Sequence, residues 1–183
     1  MHVRTNTVQS ELRLAIETAV ELTNNHPDGN RVRQILVDTQ YARASEATDH
    51  EIEDVHRRFA PVADLVQMLP SAELEDVVAA LNSALDACQV QPSLQVHDGS
   101  ALHVHWTQFD APFSDQIVVD VLIALAQVIS DHGVSRFGRC GASDCSNVFY
   151  DPTKNHSRRF CSDPKCASRT HTAEHRARRN AST

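Results

Sequence analysis

Four of the five cysteines in this 183-residue chain lie in its last quarter, as two matched pairs. Cys140 and Cys145 are separated by four residues, Cys161 and Cys166 by another four, and fifteen residues lie between the pairs. The segment that holds them is short and polar, too small to bury a core of its own, so something other than hydrophobic burial must organise it. Two thiol pairs closing around one point supply what a tetrahedral Zn²⁺ ion takes, four soft ligands at about 2.3 Å. Four thiolates leave no open coordination position, which makes the expected ion structural rather than catalytic.

Charge divides the chain at about the same place. Residues 1–134 carry 7 Lys/Arg against 20 Asp/Glu, a balance of −13, and residues 135–183 carry 10 against 4, a balance of +6. The whole-chain charge of −7 hides this asymmetry. The expectation is an acidic domain over 1–134 and a basic module over 135–183. The apolar run of a signal peptide is missing from Met1-His2-Val3-Arg4-Thr5-Asn6, and no run of eighteen apolar residues occurs, so the chain reads as cytoplasmic with no membrane partner. Thiols stay reduced in that compartment, which favours metal over disulfides. The fifth cysteine, Cys88, ends a helical pattern and reads as a small buried residue.

The acidic part is helical by its periodicity. Residues 9–24 place Leu12, Ala15, Ile16, Ala19, Val20 and Leu22 on one face. Turn chemistry from Asn24 to Gly29 breaks the pattern, and 31–44 reads as helix in preference to strand. Thr48 and Glu51 form a capping box before Ile52, Val55 and Phe59. Pro61 interrupts that stretch without breaking its spacing, so a kinked helix or two abutting helices are expected. Ser71 is the expected cap of a helix through Leu74, Val77, Leu81 and Leu85. Leu94 and Val96 then alternate with polar residues, as do Leu102, Val104 and Trp106. The two apolar sets share a face only if paired residue numbers sum to an even value. That selects a three-residue loop at Asp98-Gly99-Ser100, with Val96 opposite Leu102 and His97 opposite Ala101. The other face carries His97, His103 and His105. With no carboxylate or cysteine beside them, they read as a solvated hairpin face rather than a metal site. Ser114 is the expected cap of the most apolar segment, Ile117 to Ile129, the central buried helix. Asp131-His132-Gly133 stops it and the basic module follows directly.

Within that module, Cys140-Gly141-Ala142-Ser143-Asp144-Cys145 reads as a tight knuckle in which Gly141 can take positive φ. Asn147 to Tyr150 reads as a strand, Asp151 to Asn155 as a turn, and Ser157 to Cys161 as the returning strand. Asp163 is the expected N-cap of a final helix with Pro164 at its first position, which puts Cys166 in the first turn. A knuckle, a hairpin and a helix supplying the last ligand resemble a treble-clef zinc finger. The overall fold class expected is therefore mainly α: a helical N-terminal domain with one β-hairpin, then a small treble-clef-like finger. The last helix has only alanines as apolar residues, so it has no stripe to bury. It has a basic stripe instead, Lys165, Arg169, Arg176 and Arg179, with Arg158, Arg159 and Lys154 nearby in sequence. Guanidinium groups along one side of a coreless helix suit a phosphate backbone, and a solvated helix end is the plainer alternative.

The run Cys140-x4-Cys145, Phe149-Tyr150-Asp151, Asn155, Arg158-Arg159-Phe160-Cys161 and Cys166 resembles the CGNR zinc finger. That module closes a bacterial family of stress-induced transcription regulators, in which it follows a helical ABATE domain with a hairpin. The family motif Cys-Gly-Asn-Arg reads Cys166-Ala167-Ser168-Arg169 here, and Arg-Arg-Trp-Cys reads Arg158-Arg159-Phe160-Cys161. The cysteines and the closing arginine are kept, so the metal assignment carries over, while any role of the Asn does not. The resemblance implies one structural Zn²⁺, double-stranded DNA as partner and transcriptional control.

Three functions are therefore in view. In a DNA-binding regulator, the finger holds phosphates through Lys154, Arg158, Arg159, Lys165, Arg169, Arg176 and Arg179, and the body forms a homodimer or senses a small-molecule effector. In a protein-interaction adaptor, the same basic helix meets an acidic partner; RNA is a variant of the first. An enzyme is not expected, since the chain has no Gly-rich phosphate loop, nucleophile elbow or His-Glu-x-x-His helix.

Overall fold

A computed structural model describes residues 6–25, 29–95, 103–108 and 110–181. The described chain is mainly helical. Its elements are α1 (Asn6–Asn24), α2 (Gly29–Asp38), a 3₁₀ turn (Ala42–Ser45), α3 (Asp49–Met68), α4 (Leu74–Asp86), β1 (Ser93–Gln95), β2 (His103–His105), α5 (Phe113–His132), β3 (Phe137–Arg139), β4 (Val148–Tyr150) and α6 (Pro164–Ala181).

The helical body is built around α5. Eleven of its residues, from Phe113 to Ile129, are buried on nearly all sides, as its continuous apolar sequence requires. By length and composition α5 could cross a membrane, but α1, α3 and α4 occupy its faces. Helix α1 contributes Ile16, Ala19 and Leu22 to the core, α2 Val32 and Leu36, and α3 Ile52, Val55, Val62 and Val66. Each of the valine, leucine and isoleucine side chains among them is worth about 1.5–3 kcal/mol in burial, which outweighs the modest helix propensity of the β-branched ones.

Local signals act where they are strongest. Thr48 caps α3: its hydroxyl accepts from the Glu51 N–H at 3.2 Å, and the Thr48 N–H donates to the Glu51 carboxylate at 2.8 Å. A single helix continues through Pro61. Both Pro61 and Arg57, whose carbonyl loses its helical partner there, are exposed, so water can take the missing bond.

Two expected caps are corrected. Helix α4 starts at Leu74 after Glu73, and Ser71 instead lies in the preceding turn with its hydroxyl 3.4 Å from the Met68 carbonyl. Helix α5 starts two residues early, at Phe113 after Pro112, which places Ser114 inside it. The buried Ser114 hydroxyl donates to the Asp54 carboxylate on α3 at 2.5 Å, and that bond holds Asp54 below the usual carboxylate range. Cys88 lies just past α4, half-buried, its thiol 3.3 Å from the Ala84 carbonyl.

The hairpin keeps the expected register and inverts the expected faces. Strands β1 and β2 are antiparallel, with Ser93 opposite His105, Leu94 opposite Val104 and Gln95 opposite His103. Each pair sums to the same even value that the parity argument demands. Loop residues 98–100, the pairs at Val96 and His97, and His97 itself lie outside the described residues. Leu94 is 68% exposed and Val104 41% exposed, whereas His103 and His105 are half-buried with their Nε2 atoms 2.9 Å apart. The histidine face is thus the sheltered one.

Candidate metal centre

The cysteine module is not built on the hairpin expected for it. Strand β4 pairs with β3 on its N-terminal side, Phe137 opposite Tyr150 and Arg139 opposite Val148, and residues 157–161 form no strand. One further ladder bond, from the Cys140 N–H to the Asn147 carbonyl at 2.8 Å, closes the pair, so the knuckle 140–147 is the hairpin's own loop. Gly138 permits this. The Phe149 ring lies across it, and a Cβ at Gly138 would meet Phe149 Cζ at 2.5 Å.

After β4 the chain is turned by Asp151 rather than by strand pairing. This buried carboxylate accepts the N–H groups of Thr153 and Arg158, both at 2.8 Å. Burial pulls its pKa up, but the Thr153 side chain and the two backbone donors more than offset that and hold it below the usual range. The turn brings the Arg159 carbonyl to the Gly141 N–H at 2.8 Å and so lays Cys161 beside the knuckle. Gly141 is not at positive φ; a side chain there would instead crowd the Arg159 carbonyl, 3.1 Å from the Cβ position. Helix α6 then begins at Pro164, with the Asp163 carboxylate accepting the Lys165 N–H at 2.9 Å, which delivers Cys166 in the first turn as expected.

These elements converge four sulfurs on one point. The Sγ atoms of Cys140, Cys145, Cys161 and Cys166 all lie within 4.8 Å of one another, and three of the four residues are buried. Cys161 Sγ is 3.9 Å from Cys145 Sγ and 3.8 Å from Cys166 Sγ. Four thiolates at about 2.3 Å from a tetrahedral zinc stand about 3.8 Å apart, whereas a disulfide needs about 2 Å. None of the four is joined in a disulfide. The donor set therefore fits one structural zinc ion.

Electrostatics makes the same case. Cys166 is 1% exposed; burial pushes its thiol well up, and its three cysteine neighbours push it further. Burial raises the Cys145 thiol as well. At Cys140 burial is outweighed by hydrogen bonds from the backbone of Cys161 and Ala142 and from the Cys161 and Cys145 side chains, which bring it down to about 7. Four clustered thiols cannot all ionise beside one another unless a cation sits among them. Surrounding donors face the sulfurs: Asn147 Nδ2 lies 3.7 Å from Cys161 Sγ, and Arg169 Nη2 lies 3.6 Å from Cys166 Sγ and 3.1 Å from the Asp144 carboxylate. Such groups offset the net charge of a four-thiolate centre. Neither role was evident from cysteine spacing alone, although both residues lie within three positions of a ligand.

The finger is rooted in the body. Val148 and Phe137 belong to the main core, and β4 lies against α1. Arg139 Nη2 donates to the Gln67 carbonyl on α3 at 2.7 Å, and the Ser162 hydroxyl donates to the Glu21 carboxylate on α1 at 2.6 Å.

The basic residues are placed unequally. Arg158 is held inside the finger: Nε donates to the Phe160 carbonyl at 2.8 Å, Nη1 to the Tyr150 carbonyl at 3.1 Å, and its guanidinium lies over the Phe149 ring. Arg159 lies over Phe160 and 3.5 Å from Glu174. Arg169 faces the metal centre. Lys154, Lys165, Arg176 and Arg179 are exposed. His171 packs edge-on to Phe160 and near Glu174, away from the sulfurs.

Residues 136–179 match the CGNR zinc finger family. The match takes in all four cysteines and ends short of the helical body. No curated protein matches the chain.

Proposed function

We propose that this protein is a cytoplasmic, DNA-binding transcriptional regulator, its finger contacting phosphates through α6 and its helical body, of the ABATE kind, dimerising or sensing a ligand. The observation that carries the reading is α6. Its 18 residues extend about 27 Å, and beyond Thr170 every described side chain except the half-buried Glu174 is exposed. A helix with no apolar face gains little from packing beyond the His171 contact with Phe160, so its order rests mainly on the metal centre at its first turn, and its use lies in what it presents to solvent. It presents Lys165, Arg176 and Arg179. Phosphate contact of this kind supplies affinity and register rather than base sequence. Arg158, held by two carbonyls, braces the finger and is the weakest candidate for phosphate contact.

Fluorescence anisotropy on the zinc-loaded chain with duplex DNA tests this. Affinity should fall steeply with salt, and replacing Arg176 and Arg179 with Ala should flatten the slope of log K against log [salt] by about 0.9 per lost phosphate contact. No binding at low salt, with a protein partner retained instead from nuclease-treated lysate, would replace this reading with the adaptor.

A further inference from the structure

We propose that the cavity between α1, α2 and α3 is a binding site for a compact hydrophobic amine, a group of roughly benzene size carrying one protonated nitrogen. This names a class for the effector that the regulator reading calls for, and rests on that reading for its biological meaning only.

The cavity holds about 160 Å³. Its inner wall is made by Leu22, Val32, Val55 and Phe59, all buried and all apolar. An apolar void of roughly 150 Å³ stays dry and accepts a benzene-sized molecule, because the wall atoms regain dispersion contacts that nothing else gives them.

The mouth is polar and decides the sign of the ligand. Thr23 Oγ1 already donates to the Ala19 carbonyl at 2.7 Å, and Gln67 Oε1 already accepts Arg139 Nη1 at 3.1 Å. The polar side chains left there are Asp64 and His56, both exposed on α3 and neither with a side-chain partner among the described residues. Among the described residues, the one guanidinium bonded to a lining residue, that of Arg139, is already engaged by Gln67 and the Ser146 carbonyl. Asp64 offers a carboxylate with no ion-pair partner among the described residues at the rim of the hollow. The surrounding domain repeats that sign, with 20 acidic residues against 7 basic ones over 1–134. A protonated amine is attracted and a carboxylate of the same shape is repelled. Phe59 adds an aromatic wall suited to a flat hydrocarbon group.

The walls are shared with the supports of the finger. Gln67 lines the cavity and holds Arg139, and Thr23 lines it directly before Asn24, which bonds β4. A molecule seated here touches the ends of both helices that carry the metal module.

The test is a ¹H–¹⁵N NMR titration of the full zinc-loaded chain with three probes of one shape: benzylamine, benzyl alcohol and benzoate. Benzylamine should give saturable shifts at Thr23, Val32 and Ala63, benzyl alcohol weaker ones, and benzoate none. Asp64→Asn should cost benzylamine about threefold in affinity, the scale of a partly exposed ion pair, and leave benzyl alcohol unchanged. Ala60→Leu, at an exposed mouth position that tolerates a larger side chain, should abolish both, and Ala63→Leu should do the same. Absence of saturable benzylamine shifts, shifts that persist in both filled variants, or benzoate binding as tightly as benzylamine would each overturn the proposal. Absent amine binding with DNA binding intact removes this site alone; absent DNA binding with amine binding intact removes the regulator reading alone.

Discussion

Asn24 holds Val148 at both of its backbone groups: Nδ2 donates to the Val148 carbonyl at 2.8 Å, and the Val148 N–H donates to Oδ1 at 2.8 Å. The side chain at the end of α1 thus does for the outer edge of β4 what a neighbouring strand would do. Two residues 124 positions apart join the helical body to the metal module, and no local pattern in the sequence announces them.

Asn24→Ala should therefore leave two buried backbone groups unpaired, at about 1–3 kcal/mol each. Chemical denaturation should show the loss, and amide exchange should quicken at β4 while the zinc content stays unchanged. Stability equal to that of the native chain would mean that the pairing is dispensable.

Gly138→Ala should destabilise the finger by about 1–3 kcal/mol, because the new methyl enters the space of the Phe149 ring. The double variant Gly138→Ala, Phe149→Leu should recover part of that. Calorimetry of the three chains decides the matter, and an undiminished single variant would contradict the close approach.

Arg169→Gln should weaken zinc retention about tenfold, the usual effect of removing a donor beside a ligand, because its guanidinium faces both Cys166 Sγ and Asp144. Arg176→Ala should leave retention alone. Competition with a chromophoric chelator measures both, and equal retention in the two variants would sink the distinction drawn between these arginines.

Asp120 on α5 gives the body a definite pH response. Burial, then the negative charge of Glu11, raises its carboxyl from 3.8 to about 7. The folded chain holds this proton between those values when the unfolded chain has lost it, so stability is full below about pH 4 as far as this group is concerned and is lost as pH rises towards 7. The penalty at pH 8 is on the order of 4 kcal/mol. Asp120→Asn should raise the melting temperature at pH 8 by several degrees and change it little at pH 4. An equal gain at both pH values would contradict the assignment.

The parts legible in the sequence share one property: their causes are local. Cys140 to Cys145, Thr48 with Glu51, and Asp163 with Pro164 each act over six residues or fewer and stand where the spacing put them. The parity of the β1–β2 register is likewise an arithmetic constraint. Where causes were distant, the reading went astray. Ser114 has the form of a cap, but its hydroxyl is taken by Asp54, sixty residues away. The segment 157–161 has the form of a strand, but β3 takes the place beside β4, and Asp151 binds the Arg158 N–H instead. Alternation showed which hairpin residues share a face, but not that the histidine face is the more sheltered one.

The central claim is that one zinc ion, held by Cys140, Cys145, Cys161 and Cys166, shapes the finger and presents α6. The direct measurement is elemental analysis of natively purified protein, paired with a count of reactive thiols before and after chelation. The account predicts one zinc per chain, four thiols protected until the metal is removed, and loss of α6 helicity on removal. Protein that contains no zinc, with those sulfurs joined as disulfides or freely reactive and α6 intact, would contradict it.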